Sequence, residues 1–257
     1  MNPKITIITI SYNSEKTIER TIKSVINQNY DNLEYIIIDG GSSDNTLNII
    51  KKYSAYITKW VSEKDEGISD AFNKGISFAT GDIIGIINSD DGLEPGALRF
   101  LMENYDKETD VYRGNIIFWN EETNCRTREV PSMKLNYSGL GLRFCHQGTF
   151  VTREAYHKYG IFNVDYKYNM DFDLLLRFQN KGAKFKYLNY DMAYFTMGGI
   201  TFSKTNKAQM IEMENIILSN GGTKRDVWSY RFVKTLKMLI KKIIRRAFLL
   251  FGKARNC

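Results

Sequence analysis

Ile83-Ile84-Gly85-Ile86-Ile87-Asn88-Ser89-Asp90-Asp91 is an apolar stretch that runs straight into two adjacent carboxylates. A strand of this composition is buried on both faces, as strands of parallel sheets are. Open α/β sheets bind ligands at the carboxyl ends of their strands, so the two acids stand where a ligand would. Neighbouring carboxylates repel unless something positive sits between them, and a hard divalent cation carrying substrate phosphates supplies that charge. Asp is also common in turns, so a plain polar exit from the strand is the competing reading. The stretch by itself leaves the two level.

Outward from this strand the chain alternates. Lys4 to Ile10 is an apolar β-branched strand, and Ser14 is placed to cap a helix from Glu15 to Asn27. Leu33 to Ile38 is a second buried strand ending at Asp39. Gly40-Gly41-Ser42-Ser43-Asp44 then turns the chain into a helix from Thr46 to Tyr53. A strand at Ile57 to Val61, a polar loop from Ser62 to Gly67 and a helix from Ile68 to Ala79 follow. Strands alternating with crossover helices predict an α/β fold built on a mostly parallel sheet with right-handed connections. Tyr12, Asn13, Asp39, Asp65 and Asp90 each fall just after a strand, so the fold gathers them along one edge as a ligand site.

The ligand class follows partly by exclusion. A dinucleotide fold carries GxGxxG after its first strand, but Ser11-Tyr12-Asn13-Ser14-Glu15-Lys16 has no glycine, and no phosphate-cradling P-loop occurs. An acidic edge with one aromatic suits a base and ribose held by stacking and carboxylate hydrogen bonds. The diphosphate would then be neutralised by a metal.

Hydrophobic content of 43% and charged content of 25% are those of an ordinary globular protein. Three widely spaced cysteines (Cys125, Cys145, Cys257) show no CxxC pair and predict free thiols in a reducing compartment. No secretory signal is read at the N-terminus, and no apolar run approaches the roughly 18 residues of a membrane span. Charge is uneven. Lys224 to Cys257 holds eleven Lys/Arg against Asp226 alone, which is +10 of a total of +7 and leaves the rest of the chain at −3. Within that segment Phe232, Leu236, Leu239, Ile240, Ile243, Ala247, Phe248 and Phe251 recur at helical steps, flanked by cations. Such a helix, with Trp228 and Tyr230 near its start, suits an anionic membrane surface. The alternatives are a helix docked on the domain with its lysines in water, and nucleic acid binding. Aromatics on the apolar face favour lipid over the last.

Seven segments occur in an order that resembles one family: Thr9-Ile-Ser-Tyr-Asn13, Asp39-Gly-Gly-Ser-Ser-Asp-Asn-Thr46, Ser62-Glu-Lys-Asp-Glu-Gly-Ile68, Ala71-Phe-Asn-Lys-Gly-Ile76, Ala79-Thr-Gly-Asp82, Asn88-Ser-Asp-Asp91 with Pro95, and Asp171-Phe-Asp-Leu-Leu-Leu-Arg177. Together they resemble the family 2 glycosyltransferases, inverting enzymes of GT-A fold, and in particular the branch that builds bacterial surface polysaccharides. The resemblance covers most of residues 4 to 200 and implies roles. Tyr12 would stack on the uracil of a UDP-sugar, with Asn13 beside it. Asp39 would hydrogen-bond the base, Asp65 would help close the nucleotide pocket, and Asn88 would reach the ribose. Asp90 would bind Mn2+ or Mg2+ as the second aspartate of the DxD motif, with Asp91 beside it near the donor sugar. Asn88 stands where the family often has the first aspartate, and Glu66 where a basic residue is common.

Asp171 matches the family's catalytic base, although Met170 replaces the preceding acid. Its alternative role is the N-cap of a helix from Phe172 to Asn180. Asp173 is expected to cap or to pair with Arg177. His146, in Cys145-His-Gln-Gly-Thr149, is either a structural residue or part of the acceptor side, and His157 carries little signal. Trp119 is read as core or acceptor wall, and Gly198-Gly199-Ile-Thr201 as a loop able to cover the diphosphate. The reading as a whole is a GT-A domain at 1–223 with a basic membrane-surface helix at 224–257. It would move a hexose or N-acetylhexosamine from a UDP-sugar to a lipid-diphosphate-linked saccharide, with a β linkage, at the cytoplasmic face of the cell membrane. No nucleic acid partner is expected. A non-catalytic binder of nucleotide-sugar or glycan is the other class. A sugar-phosphate nucleotidyltransferase lacks its glycine-rich signature here.

Overall fold

The computed structural model describes residues 3–137, 146–198 and 207–251, with the side chains of 238 and 241–251 left aside. Strands β1 (Ile5–Ser11), β2 (Leu33–Asp39), β3 (Lys59–Ser62) and β4 (Ile83–Asn88) are joined through helices α1 (Ile18–Ile26), α2 (Thr46–Lys52) and α3 (Ile68–Phe78). The chain continues through β5 (Gly92–Leu93), α4 (Ala97–Glu103), β6 (Val111–Asn120), β7 (Cys125–Glu129), β8 (Thr149–Thr152), α5 (Arg153–Tyr159), α6 (Met170–Asn180), β9 (Phe185–Thr196), α7 (Lys207–Ser219) and α8 (Lys224–Phe251).

The first four strands lie parallel, as expected, and take the order β3-β2-β1-β4. Beyond β4 the sheet mixes directions. β8 pairs antiparallel with β4 and with β6, β9 runs parallel to β6, β5 closes antiparallel on β9, and β7 forms a hairpin with β6. Two apolar layers sandwich the sheet. Ile5 and Ile7 pack with Ile18, Ile22 and Val25 of α1 and Leu98 and Leu101 of α4. Ile8, Ile36 and Ile38 pack with Phe72 of α3 and the apolar side of α6. Each such side chain contributes roughly 1.5–3 kcal/mol by leaving water. β4 is buried on both faces as its composition requires, with Ile83, Ile84, Ile86 and Ile87 at most 3% exposed. Its one glycine has a packing reason: a Cβ on Gly85 would stand 2.7 Å from the Phe150 ring of β8.

Three local expectations change. The first helix begins at Ile18, not Glu15. The Ser14 carbonyl accepts from Thr17 and Ile18 amides at 3.0 Å, and its hydroxyl pairs with Ser89 Oγ at 2.7 Å instead of capping. The third strand starts at Lys59, because Ile57 drops into the core just before it. α6 starts at Met170 with Asn169 in the cap position, so Asp171 lies inside the first turn and is not the cap. A fourth correction concerns the thiols. Cys125 is disulfide-bonded, with its partner outside the described residues, so the expectation of three free cysteines fails.

α8 starts docked. Tyr230 is buried in the core, and Arg231 grips Glu214 of α7 through two bonds of 2.5 and 2.6 Å. Its other side exposes Trp228 (73%), Phe232 (61%), Leu236, Leu239 and Ile240. No helix among the described residues is long and apolar enough to cross a membrane.

Candidate active site

The loops after β1, β2 and β3 converge on Asp39. Its carboxylate is wholly buried and accepts five bonds: from Ser11 Oγ (2.9 Å) and Ser42 Oγ (2.5 Å) on one oxygen, and from the Gly41 amide (3.1 Å), the Ser42 amide (2.8 Å) and Ser62 Oγ (2.7 Å) on the other. Gly41 makes this wrapping possible with a left-handed φ of 83°. An ionised carboxyl offers about four lone-pair sites, so Asp39 has none left for a base. In this geometry the Asp39 carboxylate ties the ends of the first three strands together at the edge.

Asn13 also ties loops together. It adopts a left-handed φ of 48°, its amide donates to Ser42 Oγ at 2.8 Å, and its Oδ1 accepts from the Ser43 amide at 2.9 Å. Tyr12 beside it is 64% exposed, an open ring at the strand edge. Asp65 meets it across Gly40, where a Cβ would lie 2.5 Å from Asp65 Oδ2 and 3.5 Å from Tyr12 Cδ2. Asp65 Oδ1 accepts from the Gly67 amide at 3.0 Å. Glycine at 40 therefore lets a carboxylate and an aromatic flank one cleft.

The two acids after β4 have opposite fates. Asp91 is fully buried, and its carboxylate accepts from the Thr196 amide (3.0 Å), Asn88 Nδ2 (3.2 Å) and Gln147 Nε2 (2.6 Å). Burial, followed by the neighbouring Asp90 charge, pushes its pKa up to about 8. These bonds make Asp91 a strut tying β4 to β9 and to the turn before β8. Asp90 is partly exposed, and its pKa is raised by burial. The Asp90 backbone carbonyl is gripped by Arg20 Nη2 at 3.0 Å and Thr196 Oγ1 at 2.6 Å, so the turn is fixed without using its side chain.

Among the described residues no cluster of three or more His, Cys, Asp or Glu stands ready to hold a metal. That donor set fits Mg2+ or Mn2+, which bind through one or two carboxylates plus substrate phosphates and water, and does not fit a caged structural ion. Asn88 is explained by its neighbours. Its amide donates to Asp91 and its Oδ1 accepts from His146 Nε2 at 3.3 Å, two tasks one carboxylate cannot share. His146 packs edge-on against Phe72 at 5.0 Å, and burial lowers its pKa to about 4, so it works as a neutral donor.

Asp171 sits in the first turn of α6, accepting from the Phe172 amide at 2.8 Å. It lines a small cavity of about 10 Å³ with His146, Ile86 and Tyr156, room for about one water. Burial raises its pKa to about 6, against the Phe172 amide and the Arg113 charge, which lower it. A carboxyl poised near neutrality suits a general base. Asp173 pairs with Arg177 at 2.8 Å as expected, and also accepts from Asn220 Nδ2 at 3.1 Å. His146 therefore joins the two halves of the site, touching Asn88 on one side and the Asp171 cavity on the other.

Gln147, Thr196 and Arg20 were not legible as site residues, because each acts on the acidic turn from a distant segment. Arg20 also lies 4.7 Å over the Trp119 ring. Arg20, Ser24, Glu94, Trp119 and Tyr194 line a groove of 390 Å³ along α1, behind the Asp90 backbone. Trp119 thus walls a groove and is not part of the core. Gly199 to Thr201 lie outside the described residues.

A parallel half-sheet carrying an acidic turn and continued by a mixed half is the architecture of the GT-A glycosyltransferases. Residues 6–161 match Glycosyl transferase family 2, and the chain belongs to that family. It is 30% identical over 200 residues to the chondroitin synthase of Escherichia coli, covering 73% of this chain but only 28% of that one. The chain thus spans about a quarter of the length of that relative. It is 32% identical to the putative glycosyltransferase EpsE of Bacillus subtilis, over 71% of this chain and 69% of that one. In structure it is similar to S. aureus TarS 1-349 in complex with UDP-GlcNAc (TM-score 0.65, 19% identity, 84% of this chain, 66% of that). It is likewise similar to the mannosyltransferase PcManGT of Pyrobaculum calidifontis in complex with GDP-Man and Mn2+ (TM-score 0.64, 15% identity, 99% and 77%).

Proposed function

We propose that the protein is a metal-dependent inverting hexosyltransferase that uses a UDP-sugar to extend a lipid-diphosphate-linked saccharide of a bacterial surface polysaccharide. The observation that supports this reading is the contrast among three carboxylates: Asp91 sealed by three donors, Asp90 partly exposed, and Asp171 beside a small cavity and held near neutrality. Tyr12 stacks on the base, and Asp65 and Asn88 border the nucleotide. Asp90 would hold a Mn2+ or Mg2+ ion, which would supply positive charge for the departing diphosphate. Asp171 takes the proton of the acceptor hydroxyl, whose oxygen bonds to the anomeric carbon from the face opposite UDP. The bond to UDP breaks, UDP leaves with its electron pair, and a β linkage results. The UDP-GlcNAc complex of TarS supports UDP as the nucleotide, and the Mn2+ of PcManGT supports the ion.

UDP release from a panel of UDP-sugars with Mn2+ tests the reading. Turnover should vanish in EDTA and fall by roughly a hundredfold or more in Asp90→Asn. Turnover that survives both would refute it.

Residues 224–257 are proposed as the segment that meets an anionic membrane at its inner face, where the acceptor lipid lies. This location rests on donor and acceptor chemistry, because the disulfide at Cys125 removes the thiol argument. The exposed stripe of Trp228, Phe232, Leu236, Leu239 and Ile240 supports it. Because Tyr230 is buried, deleting the whole segment would open the core, so point changes are the cleaner probe. Phe232→Glu with Leu239→Glu should abolish cosedimentation with phosphatidylglycerol vesicles and leave UDP release intact; undiminished cosedimentation would remove the membrane assignment.

A further inference from the structure

The turn that carries Asp171 is held from outside its own helix. Asn169, in the cap position of α6, makes no side-chain cap bond. A carboxylate from α7 takes over. Glu212 accepts the backbone amides of Lys167 (2.7 Å), Tyr168 (2.9 Å) and Asn169 (2.7 Å) in succession, and Asn169 Nδ2 at 3.1 Å. The Asn169 side chain also donates to the Gln209 carbonyl at 3.2 Å, a second stitch to α7. Packing alone would not need this arrangement, since Met213, Ile216 and Ile217 already bury α7 in the core. Three consecutive amides closing on one acid fix the backbone two residues before Asp171, as an N-cap would.

We propose that Glu212 is a positioning residue for the reaction: it sets where the Asp171 carboxyl stands and makes α7 part of the catalytic unit. The inference rests on the reading of Asp171 as the base. Glu212 lies beyond the matched segment 6–161, so the family match assigns it no role. The charge of Glu212 also reaches Asp171. The groups facing Asp171 are Arg113 from β6, Glu212 from α7, His146 before β8 and Tyr156 from α5. Arg113 favours the ionised carboxyl, and Glu212 opposes it. Misplacing a catalytic group by about 1 Å costs on the order of a hundredfold in rate.

The test needs a readout that bulk stability does not move. With 13C-labelled aspartate in the full-length chain, the Asp171 carboxyl resonance is assigned by its loss in Asp171→Asn and followed against pH. Glu212→Gln keeps one oxygen for Tyr168 and Asn169 but drops the charge, so Asp171 should titrate at lower pH than in the wild type. Glu212→Ala should lower kcat for UDP release by roughly tenfold or more while leaving the KM for the UDP-sugar unchanged. If Glu212→Ala fails to fold, Glu212→Gln decides by its titration. An unmoved titration in Glu212→Gln, or an unchanged kcat in folded Glu212→Ala, overturns the proposal. Asp171→Asn with wild-type kcat would instead sink the base itself, whatever the Glu212 variants show.

Discussion

Asn88→Asp would restore the first acid of a DxD motif, and sequence logic alone expects a better metal site. The structure predicts damage. Asn88 Nδ2 donates to Asp91 at 3.2 Å, and losing a hydrogen bond to a buried carboxyl costs about 1–3 kcal/mol. The new carboxylate would face one already pushed up to about 8. Two full charges about 4 Å apart repel by about 4 kcal/mol at an effective dielectric of 20. Taking up a proton limits that cost, at about 1.4 kcal/mol for each pH unit between the buffer and the pair's raised pKa. The sign follows from proton binding. A folded-state acid with a raised pKa binds more protons than the unfolded chain, so stability falls as pH rises through the window between the ordinary value and the raised one. At pH 6 the pair shares a proton and the variant loses little beyond its hydrogen bond. At pH 8.5 the loss should grow by about a further 2 kcal/mol. Urea unfolding of both proteins in EDTA at the two pH values measures it. A variant as stable as the wild type at pH 8.5, or a loss independent of pH, would refute the argument.

Three further outcomes follow from other parts of the site. The pH profile of kcat/KM should rise through about pH 6, since Asp171 must be ionised to accept a proton and its pKa is raised to about 6; a profile flat from pH 5 to 8 would remove it as the base. Gly40→Ala drives a methyl to within 2.5 Å of Asp65 Oδ2, so UDP affinity by calorimetry should fall by roughly tenfold or more with little change in stability. Gly85→Ala forces a Cβ within 2.7 Å of the Phe150 ring in the middle of the core and should cost about 1–3 kcal/mol in urea unfolding, with the UDP affinity of the folded fraction unchanged.

The parallel half of the fold was legible because it is written in local pattern: β-branched runs for β1, β2 and β4, with glycine and cap residues between them. The edge was legible for the same reason, since loops after parallel strands must meet. The mixed half was legible only in part. The apolar runs Val111 to Phe118 and Thr149 to Thr152 read as strands and form β6 and β8, whereas β5 is two residues long and gains its identity from an antiparallel partner far away in the chain. Ser14 shows the limit at short range. It reads as a cap, but Ser89 takes its hydroxyl, and the helix starts four residues beyond it.

The chain's own order of residues determined that acids and an aromatic would line one sheet edge, and that a basic amphipathic segment would close the chain. Those properties depend on periodicity and composition, which are local. Which carboxylate stays open was decided only by tertiary structure. Asp39 and Asp91 look as available as Asp90 in the sequence, yet Asp39 is consumed by serines from three separate segments. Asp91 is sealed by Gln147 and Thr196, which lie 56 and 105 residues away. A carboxyl's chemistry is set by the donors and the burial around it, and those arrive from wherever the fold brings them.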